Sequence, residues 1–388
     1  MVKKMLLPAA IALLLLSGAS PSPVSAQKAA TVQVVLTFTN HSTLASGETG
    51  DGQIKNGVTY MPASIITPAG FALKWDNSSK KAVFSGWEKS FTVQVGSRTG
   101  VLDGKKLDTG GTPYLFNHQL YVPVKFIVSA LEGKTVRWNP QTQQILADGL
   151  HMYRAYSESH AGSVYTASLD TGELFITTGG SPKRKLASLG SGLDLVHFKF
   201  EQTPAGLTML RISNSYGEPH IYREYFTYLL KNAALIRQAH TGFHSTFSEP
   251  AVWSGGKLLL NDGHTLRLIE DGTGDVIETI DLPQLMGISK SNPPAVYYNV
   301  EGWYSDVAVI RPGDTGFLTL VNRSTGAQTP LYKVLVDADR QRVLEQVDSM
   351  FPGDNIFLTG RTGNTLTFTG YITGDKDEVY TYTLPGGK

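Results

Sequence analysis

The sequence predicts a mainly β protein: a small α+β domain (an antiparallel sheet with short helices) followed by a C-terminal β-propeller of about five blades. Three observations predict it. Forty glycines and only 17% charged residues in 388 positions indicate many short strands joined by tight turns. Residues 31 to 148 contain one segment twice. From Ala161 onward a different unit recurs, with turn glycines at Gly172, Gly217, Gly274, Gly326 and Gly374, separated by 45, 57, 52 and 48 residues.

The first 26 residues stand apart from both domains. Lys3 and Lys4 precede an apolar run from Met5 to Leu16, then small and helix-breaking residues lead to Val24-Ser25-Ala26 before Gln27. That order is the pattern of a secretory signal peptide, residues 1–26, with cleavage expected after Ala26. The apolar run is shorter than the roughly 20 residues a bilayer requires of a helix, and Pro8 interrupts it. Cleavage removes two lysines and no acid, so 34 basic residues become 32 against 33 acids and the net charge moves from +1 to −1. A nearly neutral chain has no strong field for nucleic acid or an anionic membrane, and no later segment is apolar enough to span a bilayer. With no cysteine, an exported chain must draw its stability from packed cores rather than disulfides.

The duplicated segment can be read residue by residue. Its first copy runs Asn56-Gly57-Val58-Thr59-Tyr60-Met61-Pro62, then Gly70, Leu73-Lys74-Trp75-Asp76 and Ala82-Val83-Phe84. The second runs Asn117 to Tyr121-Val122-Pro123, then Gly133, Val136-Arg137-Trp138-Asn139 and Gln144-Ile145-Leu146. Tyr and Pro are offset by 61 residues and Trp by 63, so a single short gap aligns the copies. Each copy predicts a strand ending near the Tyr, then a helix. In the second copy Pro123 suits the first turn, Phe126, Ile127, Ala130 and Leu131 form one face, and Gly133 is expected to supply the left-handed stop. Pro68 is expected to shorten the helix of the first copy. Trp75 and Trp138 then read as core residues of the following strands.

The string Tyr121-Val122-Pro123-Val124-Lys125-Phe126-Ile127, with Ala130-Leu131, Gly133 and Val136-Arg137-Trp138-Asn139, resembles the signature of the copper amine oxidase N-terminal (stalk) domain family. The resemblance covers residues 31–148 and implies a sheet curled against a helix. It also implies a spacer or adhesion role on a secreted or surface protein, mostly of Gram-positive bacteria. It does not imply oxidase activity. The catalytic part of that enzyme needs a tyrosine cofactor precursor in an Asn-Tyr context and a His-x-His copper pair, and neither dipeptide pattern occurs here. No cofactor is expected.

Residues 149–160 are polar and patternless and read as a linker. The segment 161–388 then alternates apolar runs with turns, as in Leu258-Leu259-Leu260 turning at Asn261-Asp262-Gly263 into Thr265-Leu266-Arg267-Leu268. Two hairpins per period of about 50 residues give four strands per unit, the content of a propeller blade. Glu224 to Ala239 reads as a hairpin turning at Lys231-Asn232 rather than a helix. A pair of β-sandwiches is the competing architecture.

Few residues point to chemistry. His240 and His244 have a spacing that can share a metal on a helix, but Gly242 and the strand context favour ordinary turn or surface histidines, so no metal is expected. Asp271-Gly272-Thr273-Gly274-Asp275 lacks the ligands of a calcium loop and reads as a hairpin turn. Lys183-Arg184-Lys185 reads as a solvated loop. No nucleophile elbow or phosphate loop is present, and Ser78 to Lys81 falls in a polar turn. A propeller could gather Asp194, Glu224, Glu249 and Asp306 from different blades, though spacing singles none of them out as catalytic.

Trp253, Tyr297, Tyr298 and Trp303, aromatics beside turns, are the candidate ligand-binding residues. Such rings stack on sugars or peptides with large contact area and few rotamers lost. Together these readings give a secreted, extracellular, wall-associated protein that binds or scaffolds without catalysis, with cell-wall polysaccharide or a surface protein as partner. The alternative is a secreted polysaccharide hydrolase or lyase with a carboxylate-lined pocket. A membrane-tethered sensor would require an uncleaved leader.

Overall fold

The computed structural model describes residues 30–39, 47–190, 193–244, 248–288, 296–346, 353–371 and 377–385. The leader pattern at 1–26 and the turn at Ile372-Thr373-Gly374 lie outside them. The chain is mainly β, built as seven antiparallel or mixed sheets. Among the described residues no helix is long and apolar enough to cross a membrane.

Two sheets and two short helices make the N-terminal domain. In the seven-stranded sheet, Ala30–Phe38 runs parallel to Gln144–Leu150 and antiparallel to Gly47–Lys55. The five-stranded sheet is a meander from Ala72–Asp76 to Lys105–Asp108. The duplication has a geometric consequence: the Tyr-x-Pro strands of the two copies pair with each other. Tyr121 lies opposite Pro62, Val122 opposite Met61 and Pro123 opposite Tyr60, so the copies meet antiparallel about a local twofold. Met61 and Val122, at the centre of that pairing, are fully buried. Each strand leads directly into its helix, the 3₁₀ turn Ala63–Ala69 containing Pro68 and the α-helix Val124–Ala130. Phe126, Ile127, Ala130 and Leu131 are buried, as the helical spacing requires, in one core shared by both sheets.

Two details differ from the sequence reading. The left-handed residue after the second helix is Glu132, at φ 55°, and Gly133 is needed for space instead: a Cβ there would stand 2.6 Å from Val128 Cγ1. Trp75 and Trp138 are not enclosed in the core but 36% and 50% exposed. Both sit on edge strands, Ala72–Asp76 and Thr135–Asn139, where a core-facing ring is covered from one side only.

The expected linker is largely absent. Gln144–Leu150 is still a strand of the first domain, and Ala155–His160 is already the first strand of the next sheet. The four residues between are tied down on both sides. Tyr153 donates to the Ala69 carbonyl (2.7 Å) and accepts from the Trp87 N–H (2.8 Å). A Cβ on Gly70 would meet the Tyr153 carbonyl oxygen at 2.5 Å, so only glycine admits this approach. Arg154 joins the buried Asp170 through its guanidinium (2.7 Å) and its backbone N–H (2.7 Å).

Five sheets follow in chain order: four of four strands, beginning at Ala155, Leu195, Trp253 and Tyr298, and a fifth of three strands beginning at Ile356. Each is a simple antiparallel meander, the blade arrangement expected of a propeller and not a pair of sandwiches. Neighbouring blades share their cores in series. Ile176, Phe198 and Tyr228 join the first two, Met209 and Leu258 the second and third, Leu259 and Val300 the third and fourth. Val309 and Phe368 join the fourth and fifth, together with Leu344 of the helix Ala338–Glu345. First strands of neighbouring blades touch at Ala155–His160 and Leu195–Gln202, and again along Trp253–Ser254, Tyr298–Trp303 and Ile356–Thr362. No hydrophobic cluster of described residues joins the fifth blade to the first. On that face of the first blade the stalk's Trp87 packs against Phe175, with Lys183 over the Trp87 ring.

The turn glycines mark blades but not one position within them. Gly172 and Gly217 lie between second and third strands, Gly274 and Gly326 between third and fourth. Both turns of a blade draw on the same residues, so the period alone does not fix the register. The hairpin from Tyr222–Lys231 to Ala234–His244 forms as expected, with Asn232 and Ala233 both at positive φ.

A buried charge centre lies where the last two blades meet. Arg311 is 3% exposed and donates from Nε to Glu301 Oε1 (2.6 Å), from Nη1 to Asp354 Oδ1 (2.7 Å), and to the carbonyls of Gly316 and Ile356. Asp354, fully buried, also accepts the backbone N–H groups of Leu318 (2.8 Å) and Ile356 (3.2 Å). On the surface of the same pair of blades Arg361 grips Asp306 through both carboxylate oxygens.

Asp354→Ala removes the acceptor of the Arg311 guanidinium and of two buried backbone N–H groups, so it is expected to lower stability by about 3–5 kcal/mol. Arg342→Ala, which breaks a fully exposed pair with Asp339, should change it by under about 1 kcal/mol. Urea unfolding of both variants checks the contrast. The Arg361 guanidinium holds the Asp306 carboxyl below the usual carboxylate range. A carboxyl with a depressed folded pKa stabilises above its unfolded value and loses that contribution as pH falls through the folded one. Asp306→Asn should therefore lose less thermal stability than the parent on acidification from neutrality to about pH 3, read as the two melting midpoints.

Candidate functional site

The four aromatic candidates separate. Tyr298 and Trp303 are 4% and 3% exposed, in the core between the third and fourth blades. They belong to a first strand, Tyr298–Trp303, that is buried along nearly its whole length, so their rings present no stacking face. Trp303 instead lies under the Arg323 guanidinium, 4.2 Å from its ring centre. Trp253 is half-buried and donates from Nε1 to Glu201 Oε1 (2.7 Å). Tyr297 alone of the four is exposed, tilted against His264 with ring centres 4.9 Å apart.

The four acids are dispersed, each with its own partner. Asp194 lies 3.2 Å from His220 Nε2, Glu249 3.0 Å from Arg211, and Asp306 is held by Arg361. Glu224 lies 3.3 Å from His240 Nε2 and accepts from Asn214 Nδ2 (3.0 Å). They do not converge on one pocket.

His240 and His244 occupy one strand rather than a helix, so they stand about 13 Å apart and cannot share an ion. His240 stacks on Phe226 with ring centres 4.3 Å apart and planes 6° from parallel. The turn at Asp271 to Asp275 is a blade hairpin, and Asp271 also reaches the second blade, accepting from the Ala205 N–H (2.8 Å) and the Thr203 hydroxyl. The basic run is exposed, as expected, but Arg184 and Lys185 open the strand Arg184–Ser188 and all three residues have partners. Lys183 pairs with Glu88 of the stalk, Arg184 donates to the Ala233 carbonyl (2.8 Å) and Lys185 pairs with Glu173 (2.9 Å).

Two cavities among the described residues gather these groups. The first, about 470 Å³, is bounded by three blades. Its floor is the face of the second blade carrying Phe226, Tyr228, Gln238 and His240, its side the loop at Leu189, and its rim Asp262 and Arg267 of the third blade. These groups converge because alternate residues of paired strands share a face: Phe226 lies opposite His240 and Tyr228 opposite Gln238. Burial presses the Glu224 carboxyl upward, but the hydrogen bonds from His240 and Asn214 outweigh it and hold the carboxyl below its ordinary range. Asp262 and Arg267 form a second pair at 3.1 Å. The cavity is therefore polar and aromatic, and its acids are already partnered.

The second cavity, about 340 Å³, opens beside the first strands of the fourth and fifth blades and is lined by Ser248, Glu249, Glu301, Phe357 and Leu358. Glu301 is the same residue that anchors Arg311. Sequence reasoning missed Gln238, Asp262, Arg267 and Glu301. For Glu301 a signal existed, a single acid inside the apolar strand Tyr298-Asn299-Val300-Glu301-Gly302-Trp303.

No curated protein matches the sequence. Among solved structures the chain is similar to apo AztD from Citrobacter koseri, at 11% identity and TM-score 0.26, over 88% of this chain and 89% of that one. It is similar also to the virginiamycin B lyase from Staphylococcus aureus, at 10% identity and TM-score 0.23, over 82% and 96%. Dihydro-heme d1 dehydrogenase NirN matches at 10% identity and TM-score 0.23 over 76% of this chain, which spans 56% of that protein's length. None of these likenesses bears on activity. The family model of the copper amine oxidase N-terminal domain matches residues 46–147, the span of the paired Tyr-x-Pro strands and their helices, so the stalk of this protein is a domain of that family.

Proposed function

We propose that the protein is an exported, surface-associated binding module, in which the stalk is a fixed base and the blades carry the ligand site. The observation that carries this reading is the 470 Å³ cavity between the first three blades. Its size suits a small ligand or an exposed segment of a polymer. Both acids named on its wall already have a partner within it, Glu224 a hydrogen bond with His240 and Asp262 an ion pair with Arg267. Such a wall offers further hydrogen bonds to hydroxyl or amide groups. Cell-wall polysaccharide, rich in both groups, is the partner class it suits. Export is supported by the leader pattern at residues 1–26.

A second reading, a polysaccharide hydrolase or lyase, has one observation in its favour: Glu249 and Glu301 line the same smaller cavity. Against it, Glu301 Oε1 is occupied by both Arg311 and Ser248, which leaves that oxygen little freedom to move a proton.

Residues 27–388 incubated with purified peptidoglycan and wall polysaccharide should be retained without release of soluble product. Glu224→Gln combined with Gln238→Ala should weaken retention about fivefold or more through lost hydrogen bonds. Product release would overturn the binding reading in favour of the enzyme, and no retention on either polymer would remove polysaccharide as the partner. Mass spectrometry of the protein recovered outside an expressing bacterial cell should find Gln27 as the first residue; an intact Met1 or Val2 terminus would contradict cleavage.

A further inference from the structure

The smaller cavity borders the buried charge centre. Arg311, Glu301 and Asp354 are buried together, one guanidinium between two carboxyl groups. Asp354 receives the guanidinium and two backbone N–H groups, although burial still pushes its carboxyl above the usual range. Glu301 is unevenly served. Its Oε1 accepts from Arg311 Nε (2.6 Å) and the Ser248 hydroxyl (2.7 Å), whereas among the described residues Oε2 has the Leu358 N–H alone, at a long 3.4 Å. Asn299, fully buried, binds Ser248 through Nδ2 while its Oδ1 finds no partner among the described residues. Among the described residues, Glu301 Oε2 is thus a weakly served acceptor on a buried side chain that lines the cavity.

The rest of the wall defines what can enter. Glu249, half exposed, adds a second carboxylate at the rim, and its contacts with Arg211 (3.0 Å) and Lys199 (3.8 Å) are solvent-screened on the Glu249 side. Phe357 and Leu358 supply apolar surface next to the acids. Among the described residues there is no group of three or more side chains able to hold a metal ion. A carboxylate at the end of an apolar wall matches a methylene stem that ends in an ammonium group with three donors.

We propose that this cavity receives the ω-ammonium side chain of a lysine-type residue on the ligand, with its nitrogen at Glu301 Oε2 and Glu249 and its stem along Phe357 and Leu358. The inference rests on the binding-module reading and deepens it: the partner would carry a free amino group on an alkyl chain, as a peptide stem or a protein lysine does. An amino sugar, whose nitrogen is attached directly to a polar ring, lacks the apolar stem.

Calorimetric titration of the purified protein with Nα-acetyl-lysine methylamide tests it, with the Nε-acetylated analogue and glucosamine as comparisons. The lysine probe should bind saturably at one site, the acetylated analogue at least tenfold more weakly, and glucosamine should not compete. Glu249→Lys alters a half-exposed rim residue that faces Arg211 and Lys199; with the fold checked by circular dichroism, it should abolish binding of the probe. Glu301→Gln should also abolish it, with circular dichroism reporting whether the Arg311 centre survives. Equal binding of the acetylated analogue, competition by glucosamine, an unaffected Glu249→Lys variant, or no saturable binding of the lysine probe would each overturn the assignment. Wall retention that persists while the lysine probe fails to bind would sink this assignment and leave the binding module standing. Lysine binding without wall retention would do the reverse for polysaccharide as partner.

Discussion

A four-stranded meander has two faces and nothing of its own to bury them against, and the rest of this molecule follows from that constraint. Each blade becomes stable only by sharing a core with the next, and the apolar residues divide accordingly. In the second blade Phe198, Ile212, Phe226 and Tyr228 face the first blade, while Met209, Leu229 and Ala239 face the third. Without cysteines no covalent clamp relieves the requirement. The end of the row needs a partner as well, and the first blade finds one in the stalk, through Trp87 against Phe175.

Burial on both faces also explains where polar chemistry can exist. Between blades a polar group survives only if it is paired, as in the Arg311 centre, or if it opens on a cavity, as at Glu224 and His240. Both cavities lie at junctions, one spanning three blades and the other beside adjoining first strands. Stability and recognition thus draw on the same seams, and Glu301 takes part in both, with one oxygen committed to Arg311 and the other facing the cavity.

Much of the architecture was legible in the sequence, because repetition and alternation are local signals. The two Tyr-x-Pro strands, the helix face at Phe126, Ile127, Ala130 and Leu131, and the number of blades could all be read without contacts. Exposure could not. Trp75 and Trp138 read as core and lie at sheet margins, while Tyr298 and Trp303, candidates for ligand stacking, lie inside. Ring chemistry is the same at an edge strand and a central one; only neighbours in space distinguish them. The helix Ala338–Glu345 gave little apolar rhythm because it buries only Leu344, although Asp337 caps it by accepting from the N–H groups of Asp339 and Arg340. The candidate site was the least legible part. Its groups come from parts of the chain far from one another, Glu224 and Arg267 around one cavity and Arg311 and Asp354 beside the other, and their meeting is a product of the fold.

The four residues between stalk and first blade are held like a splint. Tyr153 is bonded to the stalk at Ala69 and Trp87, and Arg154 is clasped by Asp170 of the blade one residue later. A joint this short, with its backbone engaged on both sides, has no slack to swing. The heading of the blades is therefore set by the stalk, and under the proposed function a ligand would meet the cavities from a constant direction. The protein would behave less like a bait on a line than like a bracket bolted at a set angle.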